Sequence, residues 1–120
     1  MREVLFEGCD NPVLREPAQV VEDCCGEEIK ELFADMIATM KHNRGTGIAA
    51  PQIGVGLRVI VYFISEERAR KEGSQCMPIT GLVNPSFTPQ TEEMEEDWEG
   101  CLSVPGFPSL YEIIITLTCI

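Results

Sequence analysis

Basic residues are scarce in this chain. Nine Lys and Arg stand against twenty Asp and Glu, a formal net charge of −11. Such a surface repels phosphate backbones and anionic headgroups over about a Debye length, roughly 8–10 Å at ordinary ionic strength. Nucleic acid is therefore excluded as the default direct partner, and so is a membrane surface. Paired metal-site cysteines are missing too. The six cysteines, at positions 9, 24, 25, 76, 101 and 119, contain no Cys-x-x-Cys pair and no recurring spacing, which excludes a zinc ribbon and a legible disulfide framework. No stretch approaches the roughly 18 uninterrupted apolar residues of a membrane-spanning helix. The opening Met1-Arg2-Glu3-Val4-Leu5-Phe6-Glu7 lacks the apolar segment of a secretory signal. A reducing, soluble compartment is expected: the cytoplasm, or a mitochondrion or plastid whose targeting peptide is missing here. Internal repeats and low-complexity tracts are absent as well.

What is present fits one globular domain. The 120 residues are 44% hydrophobic and 24% charged, enough for a single core and too little for two independent ones. Within residues 27 to 42, Ile29, Leu32, Phe33, Met36, Ile37 and Met40 recur at steps of three and four, the spacing of one helical face. Glu27, Glu28 and Glu31 fall toward the positive end of that helix, and Lys41, His42 and Arg44 toward the negative end. Gly45 is expected to stop it. Residues 57–63, β-branched and aromatic, predict a buried strand, and residues 79–83 a second, ended by Asn84-Pro85. Residues 66–72 could form a helical turn, but their polarity and the following Gly73-Ser74 favour a surface excursion. The acidic run Glu92-Glu93-Met94-Glu95-Glu96-Asp97 predicts a solvated loop. Residues 110–118 predict a strand for which the sequence offers no partner, an aggregation hazard if its edge stays open. The pattern as a whole is α+β, one long amphipathic helix with mostly antiparallel strands.

Two stretches could carry chemistry. In Gly45-Thr46-Gly47-Ile48-Ala49-Ala50-Pro51-Gln52-Ile53-Gly54, closely spaced glycines let a backbone approach a ligand, and Gln52 offers a neutral amide donor. A plain helix-to-strand turn fits that pattern equally. A phosphate-binding loop fits it less well, because the glycines follow a helix instead of opening one. In Trp98-Glu99-Gly100-Cys101-Leu102-Ser103-Val104-Pro105-Gly106, Cys101 taken alone reads most simply as core filler.

Together, and in this order, the two stretches resemble the first and second signature motifs of peptide deformylases, metal hydrolases that remove the formyl group from the initiator methionine of new chains. Asp10-Asn11-Pro12-Val13-Leu14-Arg15 and Leu82-Val83-Asn84-Pro85 are similar to that family's opening segment and pre-loop strand. The likeness runs from about residue 8 to residue 107, giving a partial deformylase-like domain over residues 1–107 and a divergent tail over 108–120.

The resemblance implies roles. Cys101 would be a thiolate ligand to a divalent metal, iron(II) or zinc, which acidifies a bound water. Gln52 and the backbone N–H of Leu102 would donate to the oxyanion, each such donor being worth about 3 kcal/mol of barrier. Gly47 and Ile48 would lie along the N-formylmethionyl peptide, and Glu99 would position the loop. The family's other two ligands and its general base come from a late Gln-His-Glu-x-x-His helix, which these residues lack. Their one histidine is His42, read as serving its own helix end. The basic residue expected soon after the Val-Pro-Gly turn is also missing from Pro108-Ser109-Leu110-Tyr111. The expectation is thus an incomplete deformylase-like α+β fold without its final catalytic helix, a truncated product inactive as it stands. The alternatives are a non-catalytic peptide-binding protein on the same fold and a nucleotide-binding module around Gly47.

Overall fold

In the computed structural model of the chain, residues 2–6, 9–73, 75–89, 92, 94–114 and 117–119 are described, and of these residues 72, 95–100, 104–114 and 117–119 by backbone alone. Helix α1, Glu27–His42, has the bounds its periodicity predicts. Ile29, Leu32, Met36 and Met40 are buried, with Phe33 and Ile37 partly so. Each such side chain, once fully covered, contributes about 1.5–3 kcal/mol. The helix end departs from expectation. Asn43 caps it, and Arg44 takes the left-handed conformation at φ 57°. Gly45 follows, donating its N–H to Met40 O at 2.9 Å. Glycine at 45 serves close packing described below, and its φ does not demand it.

The helix covers a three-stranded antiparallel sheet of order β1-β2-β3, formed by Gly47–Ala49, Val59–Ile64 and Met77–Val83. Val59 and Val61, two apart, turn the same way into the core beside Ile48, Ala50 and Ile53, as strand alternation requires. Leu57, read from sequence as strand, instead bridges Gln19. A Cβ at Gly81 would collide with the Phe33 ring, so glycine lets β3 lie close against α1. A short 3-10 turn, Ala50–Ile53, links β1 toward β2 and carries Gln52.

Asn84 does end β3, but by a long-range device. It adopts φ 54°, its Oδ1 accepts from Val21 N–H at 2.7 Å, and its Nδ2 donates to Val21 O at 2.9 Å.

Three sequence expectations need correction. Residues Glu66–Glu72 form helix α2, because Ser65 Oγ accepts from Arg68 N–H at 3.2 Å and Gly73 closes the helix at φ 69°. Two good caps outweigh a polar composition in a short helix, and Ala69 supplies its buried contact. The acidic run does not stay a loop: Met94–Cys101 is strand β5. Nor is the tail without a partner, since Val104–Ile114, strand β6, pairs antiparallel with β5. The apolar, β-branched tail supplies a ladder that satisfies the backbone of the acidic strand, and that pairing overrides low intrinsic strand propensity. Residues 93, 115 and 116 of these two runs lie outside the described residues. Leu117–Cys119 (β7) pairs with Phe87–Pro89 (β4). β6 runs unbroken across residue 107. No helix among the described residues is long and apolar enough to cross a membrane.

Candidate functional site

The site is built by two tight turns facing one another. The first follows β1. Ala49 N–H donates to Gln52 Oε1 at 2.9 Å, which fixes the orientation of the carboxamide and leaves its NH2 group to point outward. The second is the β5–β6 hairpin. Cys101 pairs with Val104, so Leu102 and Ser103 form the two-residue loop, after a slip in register between Glu99 and Cys101. This hairpin tip places the Cys101 thiol at the surface, Leu102 half-buried and Ser103 buried. Gln52 Nε2 lies 3.6 Å from Cys101 Sγ, as donor to sulfur.

Leu102 anchors the tip. A Cβ on Gly45 would meet Leu102 Cδ1 at 2.8 Å and Cγ at 3.2 Å, so the leucine rests on the bare backbone just beyond α1. Ser103 Oγ, although buried, finds no hydrogen-bond partner among the described residues.

Both turns open on a cleft of about 680 Å³. Its described lining includes Gly47, Gln52, Tyr62, Cys101 and Leu102, together with Arg44 and Arg68. β1 is an edge strand of its sheet. Phe63 N–H donates to Thr46 O at 3.0 Å, and Gly47 faces Tyr62 across the ladder. In an antiparallel pair this alternation turns the N–H and C=O of Gly47 away from β2, onto the open edge. A Cβ at Gly47 would meet only ordinary contacts, the nearest at 3.7 Å, so the protein's own packing does not demand glycine there.

The sequence-predicted residues are thus mostly gathered. Gly47, Gln52, Cys101 and Leu102 line one cleft, while Ile48 is a buried core residue outside that lining, its backbone turned toward Val61 of β2 by the same alternation. The side chain of Glu99 lies outside the described residues. Sequence reasoning missed Arg68, Tyr62 and Ser103. Arg68 was legible in part: recognising Ser65 as a cap would have set α2, whose Arg68 Nη1 donates to Thr46 Oγ1 at 3.0 Å.

A metal does not find a full set of donors here. Among the described residues no group of three or more His, Cys, Asp or Glu is placed to hold an ion. His42 lines a different hollow, with Arg2, Glu3, Val4, Phe6, Asn43 and Leu102. A catalytic zinc-type centre takes three protein ligands, and Cys101 alone does not make one. What these residues can do is bind an extended backbone along β1 and present a neutral amide donor beside a thiol.

Comparison with known proteins agrees with this geometry. The sequence model of the family described as polypeptide deformylase matches residues 6–112. Peptide deformylase 1 of Nitrosomonas europaea is 46% identical over 100 residues, covering 83% of this chain and 56% of that protein. Peptide deformylase 1 of Prochlorococcus marinus is 43% identical over 106 residues, covering 88% of this chain and 54% of that one. The chain therefore spans just over half the length of these curated relatives. Among solved structures, the peptide deformylase of Ehrlichia chaffeensis in complex with actinonin superposes with a TM-score of 0.79 at 31% identity, covering 94% of this chain and 63% of that one. A Gly-loop and a Cys-bearing hairpin tip that meet at Gln52 and Cys101, on an α+β frame shared with these proteins, make this chain a member of the polypeptide deformylase family.

Proposed function

We propose that this chain supplies the formyl-peptide-binding part of a peptide deformylase site, in a protein that hydrolyses the N-formyl group of the initiator methionine of new polypeptides. The observation that carries this reading is the 3.6 Å approach of Gln52 Nε2 to Cys101 Sγ at one end of the open edge of β1. An extended peptide on that edge would pair with the backbone of Gly47 and neighbour Ile48, as in strand addition to a sheet. Its formyl oxygen would then lie where the Gln52 amide and the Leu102 N–H can donate. Preorganised neutral donors of this kind favour the developing oxyanion over the ground-state carbonyl. Cys101 is proposed as one thiolate ligand of the family's metal, iron(II) or zinc. When bound, that ion supplies a water acidified toward neutral pH. Among the described residues the donors do not complete its coordination.

Two measurements test the reading. The 120-residue chain is expected to bind an N-formyl-Met-Ala-Ser peptide and to bind the same peptide without its formyl group about tenfold more weakly, one good hydrogen bond to a buried-edge carbonyl being worth on the order of 1.4 kcal/mol. It is expected to release no formate, with or without added iron(II). Equal binding of the two peptides would remove the site from consideration. Turnover abolished by Cys101→Ala would show that other groups of the chain complete the donor set around Cys101.

A further inference from the structure

Gln52 is held through both of its carbonyl groups. The side-chain Oε1 accepts from Ala49 N–H at 2.9 Å, within its own turn. The main-chain oxygen accepts from Leu5 N–H at 2.7 Å, from the far end of the sequence. The turn spends its own donors elsewhere: Gly54 N–H goes back to Pro51 O and Val55 N–H to Ala50 O. The last carbonyl of a short helical turn is left over in this way, and Leu5 takes it up. The segment that bears Leu5 is anchored in turn on α1. Arg2 N–H donates to Thr39 Oγ1 at 2.8 Å, and Thr39, at 0% exposure, donates its own hydroxyl to Asp35 O at 2.7 Å. Between these two ties Val4 packs against the core.

We infer that residues 2–5 are a strap that positions the Gln52 amide for the formyl oxygen, with Leu5 acting through its N–H and Thr39 as the far anchor. This deepens the function proposed above and rests on it. Ala50 and Ile53 root the turn in the core, but apolar contact is non-directional and leaves the turn free to rock. The Ala49 bond orients the carboxamide only relative to the turn itself. The Leu5 bond ties the turn to α1, and α1 also supports the other donor, since Leu102 rests on Gly45, whose N–H donates to Met40 O at the helix end. Both donors to the oxyanion are thereby referred to one rigid element. Donors of this kind act only when held close to the productive geometry, so loosening the strap costs formyl recognition before it costs peptide binding.

Cys9 gives access to a one-atom change. A synthetic segment 1–8 ending in a Gly8 thioester can be joined to residues 9–120 at Cys9, and the α-hydroxy analogue of leucine at position 5 replaces the N–H by an ester oxygen, which cannot donate. The parent chain assembled by the same route is the reference. Calorimetry compares N-formyl-Met-Ala-Ser with the same peptide lacking its formyl group. The preference of about tenfold in the parent is expected to fall to about twofold in the ester chain, with affinity for the deformylated peptide unchanged within about twofold. Thr39→Val keeps the branched shape and removes the acceptor for Arg2, so it should lower the preference to about fivefold, whereas Thr39→Ser keeps the hydroxyl and should match the parent. An ester chain that retains the preference, or binds both peptides more weakly in the same proportion, would overturn the inference and leave the formyl-peptide reading standing. Should the ester chain fail to fold, the Thr39 pair decides: equal preference in the Val and Ser variants overturns the strap. A parent chain that binds neither peptide, or both equally, would overturn the reading and the inference together.

Discussion

Asn84 pairs with Val21 through both halves of its carboxamide, accepting from the Val21 N–H at 2.7 Å and donating to its carbonyl at 2.9 Å. The side chain substitutes for a strand neighbour across 63 residues of sequence, and it does so from a left-handed backbone at φ 54° that Asn tolerates better than most residues. Asn84→Ala is expected to destabilise the fold by about 2–4 kcal/mol. It strands two backbone groups of the buried Val21 and adds the cost of Ala at positive φ. Asn84→Asp keeps the acceptor and loses the donor, so it should cost less. Urea denaturation of the two variants checks the order.

Gln52→Glu isolates the outward amide. The retained oxygen still accepts from Ala49 N–H, so the turn should survive with stability changed by no more than about 1 kcal/mol, while the donor facing Cys101 Sγ becomes an acceptor. Formyl-peptide binding is expected to weaken about tenfold or more, the scale of one lost and one repulsive polar contact. Calorimetry with the variant gives the answer directly, and unchanged affinity would mean that the amide is not a ligand contact.

Gly45→Ala should act at a distance. The added methyl meets Leu102 Cδ1 at 2.8 Å, and a leucine tip can move, so the cost in stability should stay near 1 kcal/mol. The hairpin tip moves with it and carries Cys101 away from Gln52. Peptide affinity should therefore fall more than stability does. Truncating the obstruction in the double variant Gly45→Ala, Leu102→Ala should restore part of that affinity, a coupling that a double-mutant cycle reads as non-additivity.

Ser103→Ala removes a buried hydroxyl that makes no hydrogen bond among the described residues. Polar groups buried without partners are a cost to the folded state, so the variant is expected to be as stable as the parent or up to about 1 kcal/mol more so. A loss of more than about 1 kcal/mol in the unfolding midpoint would show that the hydroxyl has a partner in solution.

Much of this was visible in the residues. The apolar spacing from Ile29 to Met40 located α1 because helix burial is periodic in sequence, whereas the Gly- and Cys-containing stretches, which singly read as a turn and as core filler, pointed to the cleft only through their joint resemblance to the family's motifs. The meeting of Gln52 with Cys101, 49 positions apart, was not visible, since separation along the chain carries no register. α2 was misjudged by weighing polarity above its caps, Ser65 and Gly73. β5 was misjudged because Glu95, Glu96 and Asp97 look solvated when read alone, and only their pairing with 111–113 makes them a strand. Arg68 stayed hidden for the same reason: its relation to Thr46 exists only after α2 has folded back over β1.

The hairpin tip and the Gly-loop belong to unequally anchored parts of the molecule. Gln52 sits between Ala50 and Ile53, both buried in the core beneath α1, whereas Cys101 is borne by a two-stranded ribbon held to that core, among the described residues, by Leu102 and the buried Ser103. Ribbons of that kind open more readily than packed sheets. Amides of residues 101–104 should thus exchange with solvent sooner than those of β2, and a ligand bridging both turns should slow the former while barely touching the latter. Occupancy of the cleft would be written in the exchange rates of one arm alone.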